Sequence, residues 1–213
     1  MKKYKLIFSF LVFAFISFNA TAGTTLSTVP EPFRGFDDNS KLTIDYRDLD
    51  SLLDTVVLNT GRSDRKKAPR SESETGTRMK VSINRATANE GNRFYYEVFD
   101  NNAENQKTIA KIQNRLENIP NAIPLEKFSR DEQLAYWLNL YNITIVKEIV
   151  AVYPERKLDD LLEGKNSILS KQTLMVAGVA LSLNDIQFTI LRQNYDNNPL
   201  VIYGLYQGII GGP

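Results

Sequence analysis

Apolar positions along the chain fall into blocks with different periods, and each period predicts an element. Leu49, Leu52, Leu53, Val56 and Val57 recur at helical spacing within 45–59, and Gly61 follows where a helix end favours a left-handed residue. Met79, Val81 and Ile83 alternate with polar residues, which predicts a short strand. Arg93 to Phe99 (RFYYEVF) predicts a second, aromatic strand after a turn at Asn89-Glu90-Gly91-Asn92. Ile109, Ile112 and Leu116 mark a helix over 105–118, with Pro120 and Pro124 as its stop. The strongest helix follows: Ser129 with Glu132 three residues on is a capping-box pattern, and Leu134, Trp137, Leu138, Tyr141, Ile145 and Ile149 form one apolar face. Leu174 to Leu183, interrupted by Gly178, predicts a short strand or hairpin. Ser182 and Asp185 repeat the capping pattern ahead of a helix carrying Ile186, Ile190 and Leu191. The apolar run from Leu200 to Ile210 predicts a last strand. This mixture predicts one α+β domain over 45–213, helices packed on a small, mostly antiparallel sheet, behind a Pro-, Ser- and Asp-rich flexible lead-in at 23–44.

The N-terminus has a pattern of its own. Lys2, Lys3 and Lys5 precede a 13-residue apolar run, Leu6 to Phe18, and Ala20-Thr21-Ala22 supplies small residues. Basic, apolar and small in that order predicts a secretory signal peptide cleaved after Ala22. An uncleaved anchor is the competing reading, but the run is short of the roughly 20 residues that a spanning helix needs. The expected mature protein is periplasmic or secreted and has no membrane span. Its net charge becomes −2, because the signal carries three lysines and no acid. That balance gives no case for nucleic acid or an anionic membrane as partner. The ending Gly211-Gly212-Pro213 is turn punctuation directly after an apolar segment, so the expected protein continues beyond it.

Cysteine and histidine are both absent. Disulfides, thiol nucleophiles, imidazole bases and the usual zinc ligands are thereby excluded. Any chemistry must come from carboxylates, Lys, Tyr, Ser or Thr. Asp100-Asn101-Asn102 and Asp196-Asn197-Asn198 are rich in oxygen ligands, but neither has the spacing or closing Glu of a calcium loop, and both predict turns. No metal and no cofactor is expected.

The candidates that remain are few, and each has two readings. Asn139 and Asn142 lie three apart on the long helix, with Glu132 two turns earlier on nearly the same stripe. They either face a pocket, Glu132 as acid or base and the amides orienting a substrate, or they satisfy backbone groups inside the fold. Arg192 either grips an anion, or forms a buried ion pair with Glu132, or neutralises its helix end. Arg78 and Arg93, beside Arg62, Arg65 and Arg70, either bind an anionic envelope polymer or belong to a solvated loop. Tyr203 and Gln207 in the last apolar run either line a site or serve core and interface.

Two blocks carry a resemblance. Asp131-Glu132-Gln133-Leu134-Ala135-Tyr136-Trp137-Leu138-Asn139-Leu140-Tyr141-Asn142 is one; Leu181-Ser182-Leu183-Asn184-Asp185-Ile186 with Ile190-Leu191-Arg192 is the other. With their spacing they resemble the bacterial family called domain of unknown function 547, over about 128–213. Thr75-Gly76-Thr77-Arg78, Glu90-Gly91-Asn92-Arg93 and the ending Tyr203 to Pro213 are similar to a secreted proteobacterial subgroup of it. The resemblance implies a distant likeness to papain- and transglutaminase-like hydrolases. Many such members carry Glu-His after the residue matching Ile186, and His and Cys in the last strand. Here those places hold Gln187, Phe188, Ile202, Gln207 and Gly212, none of which can do thiol chemistry. The leading expectation is therefore a non-catalytic binding or assembly protein of the envelope, with a polymer or protein partner. A hydrolase or transferase using Glu132, Asn139 and Asn142 is the alternative.

Overall fold

One long helix organises the molecule. The computed structural model describes residues 28–58, 93–155, 161–164 and 167–208. The signal-peptide reading, Gly61, the basic 62–78 run with Arg78, the strand at 79–83, the turn at 89–92 and Gly212 lie outside these residues. The long helix, α3 (Arg130–Val152), begins where Ser129 Oγ accepts the Glu132 N–H at 3.2 Å. It buries Tyr136, Trp137, Leu140, Tyr141, Ile143, Ile145, Val146 and Ile149, which is more than one apolar stripe. Leu134 and Leu138 of the predicted face are only half-buried. A helix buried on several sides must be enclosed by other elements.

The elements around α3 are α1 (Arg47–Val56) and α2 (Ala103–Ala122), then a strap at 28–44 and the helix opening at Asp185. Leu49 and Val56 are the buried side of α1. Asn102 caps α2 by accepting the Asn105 N–H, and Ile109, Ile112 and Leu116 pack inward. Pro120 does not end α2, contrary to expectation: the helix runs on to Ala122. Proline lacks the N–H that would bond the Leu116 carbonyl. The Tyr136 hydroxyl of α3 supplies that donor instead, at 3.2 Å, so the defect becomes a tie between helices.

The strands form two small antiparallel ladders. β1 (Val57–Leu58) pairs with β2 (Arg93–Phe94), and β3 (Leu174–Val176) with β4 (Val179–Leu181). The expected aromatic strand over 93–99 is a strand only for its first two residues; Tyr96–Phe99 turns into a 3-10 helix that buries Phe99. The β3–β4 hairpin closes on Ala177 and Gly178, both at positive φ (46° and 76°), the geometry that a two-residue turn between right-twisted strands demands. The Glu117 carboxylate of α2 accepts the Met175 N–H at 2.9 Å and the Gln113 amide at 2.7 Å, tying hairpin to helix.

The second capping box is complete. Asp185 Oδ2 accepts from the Ser182 N–H and hydroxyl, and Ser182 Oγ accepts the Asp185 N–H. It opens a helix wound as a π-helix over Asp185–Leu191 and continued by one α-turn, Arg192–Asn194; the two together are α4. The expected last strand is instead a 3-10 helix, Pro199–Gly204. Pro199 fixes the first turn, and the Asn198 side chain accepts the Leu200 N–H, so the segment starts as a capped helix. Among the described residues no helix is long and apolar enough to cross a membrane.

The strap shows how a Pro- and Asp-rich stretch is held. Val29 and Phe33 are fully buried, and Phe33 meets Trp137 edge-on at 5.0 Å. Gln133, buried on α3, gives its amide to the carbonyls of Gly35 (2.9 Å) and Leu125 (2.7 Å). Asn194 bonds the Phe33 carbonyl at 2.8 Å.

Candidate functional site

Glu132 stands at the first turn of α3, where the capping pattern put it, but its half-buried carboxylate bonds the strap. Oε1 accepts the Ile44 N–H at 2.8 Å. That bond holds the end of the strap just before α1. Tyr46, two residues on, brings its hydroxyl into the same neighbourhood. Burial, then the negative charge of Glu132, pushes that phenol well above the usual tyrosine range, while the Asn139 amide draws it back. The hydroxyl is buried yet meets no partner at hydrogen-bond geometry. Asn139 thus approaches the hydroxyl as a hydrogen-bond partner but does not reach full hydrogen-bond geometry.

Asn142 is fully committed. Its Nδ2 donates to the Gly204 carbonyl at 2.9 Å, and its Oδ1 accepts the Tyr206 N–H at 2.8 Å. Both ends of one amide therefore hold the last described segment against α3. That segment runs close: a Cβ on Gly204 would sit 2.8 Å from a Leu138 methyl, and one on Gly208 would sit 2.7 Å from Ile149 Cδ1. The Tyr206 hydroxyl continues the tie by bonding Tyr96 at 3.1 Å.

Asn139, Asn142 and Tyr206 share one wall of a cavity of about 190 Å³. Its other walls are hydrocarbon from α1, the β1–β2 ladder and α3. Glu132 does not line it, so the structure brings the two asparagines to one opening and leaves the carboxylate on the strap.

Arg192 is elsewhere. It is exposed, and its Nε bonds Asn197 Oδ1 at 2.9 Å rather than pairing with Glu132. It borders a second groove, of about 240 Å³, between α4 and the 3-10 helix. Gln187, Phe188 and Ile202 line this groove with Leu191 and Leu205. Three of the positions at which the resemblance led one to look for Glu, His or Cys are thus gathered in space, and they present an amide and hydrocarbon. Phe188 is 54% exposed and Ile202 40%. Tyr203 points largely to solvent, at 67%, and Gln207 is half-buried behind it. Arg93 is exposed in β2.

The cation that does join α3 to α4 is Arg130, which the sequence reading passed over. Its Nη2 reaches Asp196 Oδ2 at 2.6 Å and the Asn194 carbonyl at 3.1 Å, and its guanidinium lies over the rings of Phe36 and Tyr195. A cation in the first turn of a helix opposes the helix dipole. That misplacement was the available signal that Arg130 has a partner elsewhere. Among the described residues no group of three Cys, His, Asp or Glu side chains could hold a metal ion.

Comparison with known proteins adds one finding. No curated protein and no solved structure matches the chain. Residues 125–213 match the model of a family described as "Protein of unknown function, DUF547". They contain the capped start of α3, the β3–β4 hairpin, the second capping box and the groove beside Phe188, so the similarity to that family covers the C-terminal part of the chain.

Proposed function

We propose that the chain is exported and serves as a non-catalytic binding or assembly protein of the bacterial cell envelope, engaging its partner at the groove between α4 and the 3-10 helix. The observation that carries this reading is the content of that groove. Gln187, Phe188 and Ile202 stand together there, and none can act as a nucleophile or a general base. Exposed aromatic and branched aliphatic side chains in a recess are instead what a binding surface uses to anchor a partner. The basic start, apolar run and small residues of the first 22 positions support export.

The catalytic alternative, Glu132 with Asn139 and Asn142, is less well supported. It would draw on a carboxylate that already accepts a backbone N–H and on an amide whose two ends are both spent. The test is to express the whole chain in a Gram-negative host and fractionate it, beside a Phe188→Asp, Ile202→Asp double variant. The reading predicts that the wild type runs with envelope material in a species larger than the monomer and that the double variant runs free. A wild type that stays monomeric and unattached would count against it.

A further inference from the structure

The cavity behind α1 is separate from that groove, and its chemistry specifies a ligand. Six of its lining side chains are hydrocarbon: Leu49, Leu53, Val57, Phe94, Ile143 and Val146. Among the described residues no charged side chain lines it. A charged ligand would lose its hydration there without gaining a counter-charge, at a cost that no hydrophobic contact repays. The size is also definite. A dry apolar cavity of roughly 150 Å³ admits a benzene ring, so about 190 Å³ admits one ring or a six-carbon chain plus a polar atom.

The polar wall fixes the rest. Both ends of Asn142 are engaged, by Gly204 and Tyr206, and the Tyr206 hydroxyl is engaged by Tyr96. Asn139 leans toward the buried Tyr46 hydroxyl on one side, without meeting it at full hydrogen-bond geometry, and the rest of its amide is left for the cavity that it lines. Buried polar groups in native folds are ordinarily bonded. An amide with bonding capacity left at the edge of a hydrocarbon recess is therefore matched by a ligand that brings one polar group of its own. We propose that this cavity binds a small neutral molecule with an apolar body and a single hydroxyl or carbonyl, held at Asn139.

The probes are 4-methylphenol, toluene and 4-methylbenzoate, which share one ring and differ at one end. Each is titrated into the purified protein by calorimetry and by amide chemical shifts. Expected are saturable one-site binding of 4-methylphenol and at least tenfold weaker binding of 4-methylbenzoate. In Asn139→Leu the affinity of 4-methylphenol relative to toluene falls about tenfold, the worth of one hydrogen bond. Leu53→Trp, at the partly exposed rim, fills the recess and abolishes binding of all three; an unchanged far-UV circular dichroism spectrum and urea midpoint for Leu53→Trp distinguish this from loss through misfolding. No saturable binding of 4-methylphenol, undiminished binding in a folded Leu53→Trp protein, or an unchanged ratio in Asn139→Leu would overturn the proposal.

Discussion

Asn142 offers a clean test of whether the signature residues of α3 hold the fold. Replacing it with Ala removes a bond to the Gly204 carbonyl (2.9 Å) and one from the Tyr206 N–H (2.8 Å). A hydrogen bond contributes about 1 kcal/mol net, and a buried group stranded without a partner costs about 1–3 kcal/mol. The site is half-buried, so water relieves part of that penalty, and the combined loss comes to about 2–3 kcal/mol. For a domain of this size that lowers Tm by roughly 4–12 °C. Urea unfolding of wild type and Asn142→Ala, followed by far-UV circular dichroism, measures the loss. Native-state hydrogen exchange adds a local readout, since the Tyr206 amide loses its acceptor and its protection should drop with it. A change below about 0.5 kcal/mol with the Tyr206 amide still protected would refute the assignment of Asn142 as the clamp on the last segment.

Two further outcomes follow from the geometry. Arg130→Ala should cost about 1–2 kcal/mol in urea, chiefly through the lost Asn194 carbonyl bond and ring contacts, because the ion pair with exposed Asp196 is screened by solvent; 0.5 M salt should therefore change wild-type stability little. Burial pushes the Tyr141 hydroxyl up to about 12 and those of Tyr136 and Tyr195 up as well. Their folded pKa values lie above the unfolded value of about 10, so their contribution is full below pH 10 and declines as pH rises toward the folded values, by about 2–3 kcal/mol from Tyr141 alone. Tyrosinate absorbance from these rings should appear with unfolding in an alkaline titration; early ionisation in a folded protein would contradict their burial.

What was legible in the sequence was what is encoded locally. Ser129 and Ser182 with Asp185 are caps because the hydroxyl, the N–H three residues on and the carboxylate are all within one turn, and the structure closes these bonds. The β3–β4 hairpin announced itself through Gly178. The misses share a different cause. Apolar content after Leu200 and over 93–99 resembled strands, but a strand needs a partner edge, and at Pro199–Gly204 and Tyr96–Phe99 the chain forms 3-10 turns instead. Pro120 reads as a stop only while its missing donor goes unreplaced, and Tyr136 replaces it from another helix. The candidate site divides in the same way. That Asn139 and Asn142 share a face follows from helical spacing, and both reach one cavity. That Glu132 would spend a carboxylate oxygen on Ile44, 88 residues earlier in the chain, and that Arg130 rather than Arg192 would bridge helices, depends on distant partners that no local pattern encodes.

We propose that Glu132 and its neighbours serve the fold and not a reaction, and this is open to direct test. The most direct measurement is to prepare Glu132→Gln and wild type side by side and to record both unfolding stability and turnover of peptide, ester and glycan substrates. The account predicts no turnover by either protein and a stability loss of about 0.5–1.5 kcal/mol, because a neutral amide oxygen is a weaker acceptor than a carboxylate for the Ile44 N–H. Turnover by the wild type that disappears in a Glu132→Gln protein of unchanged stability would contradict it.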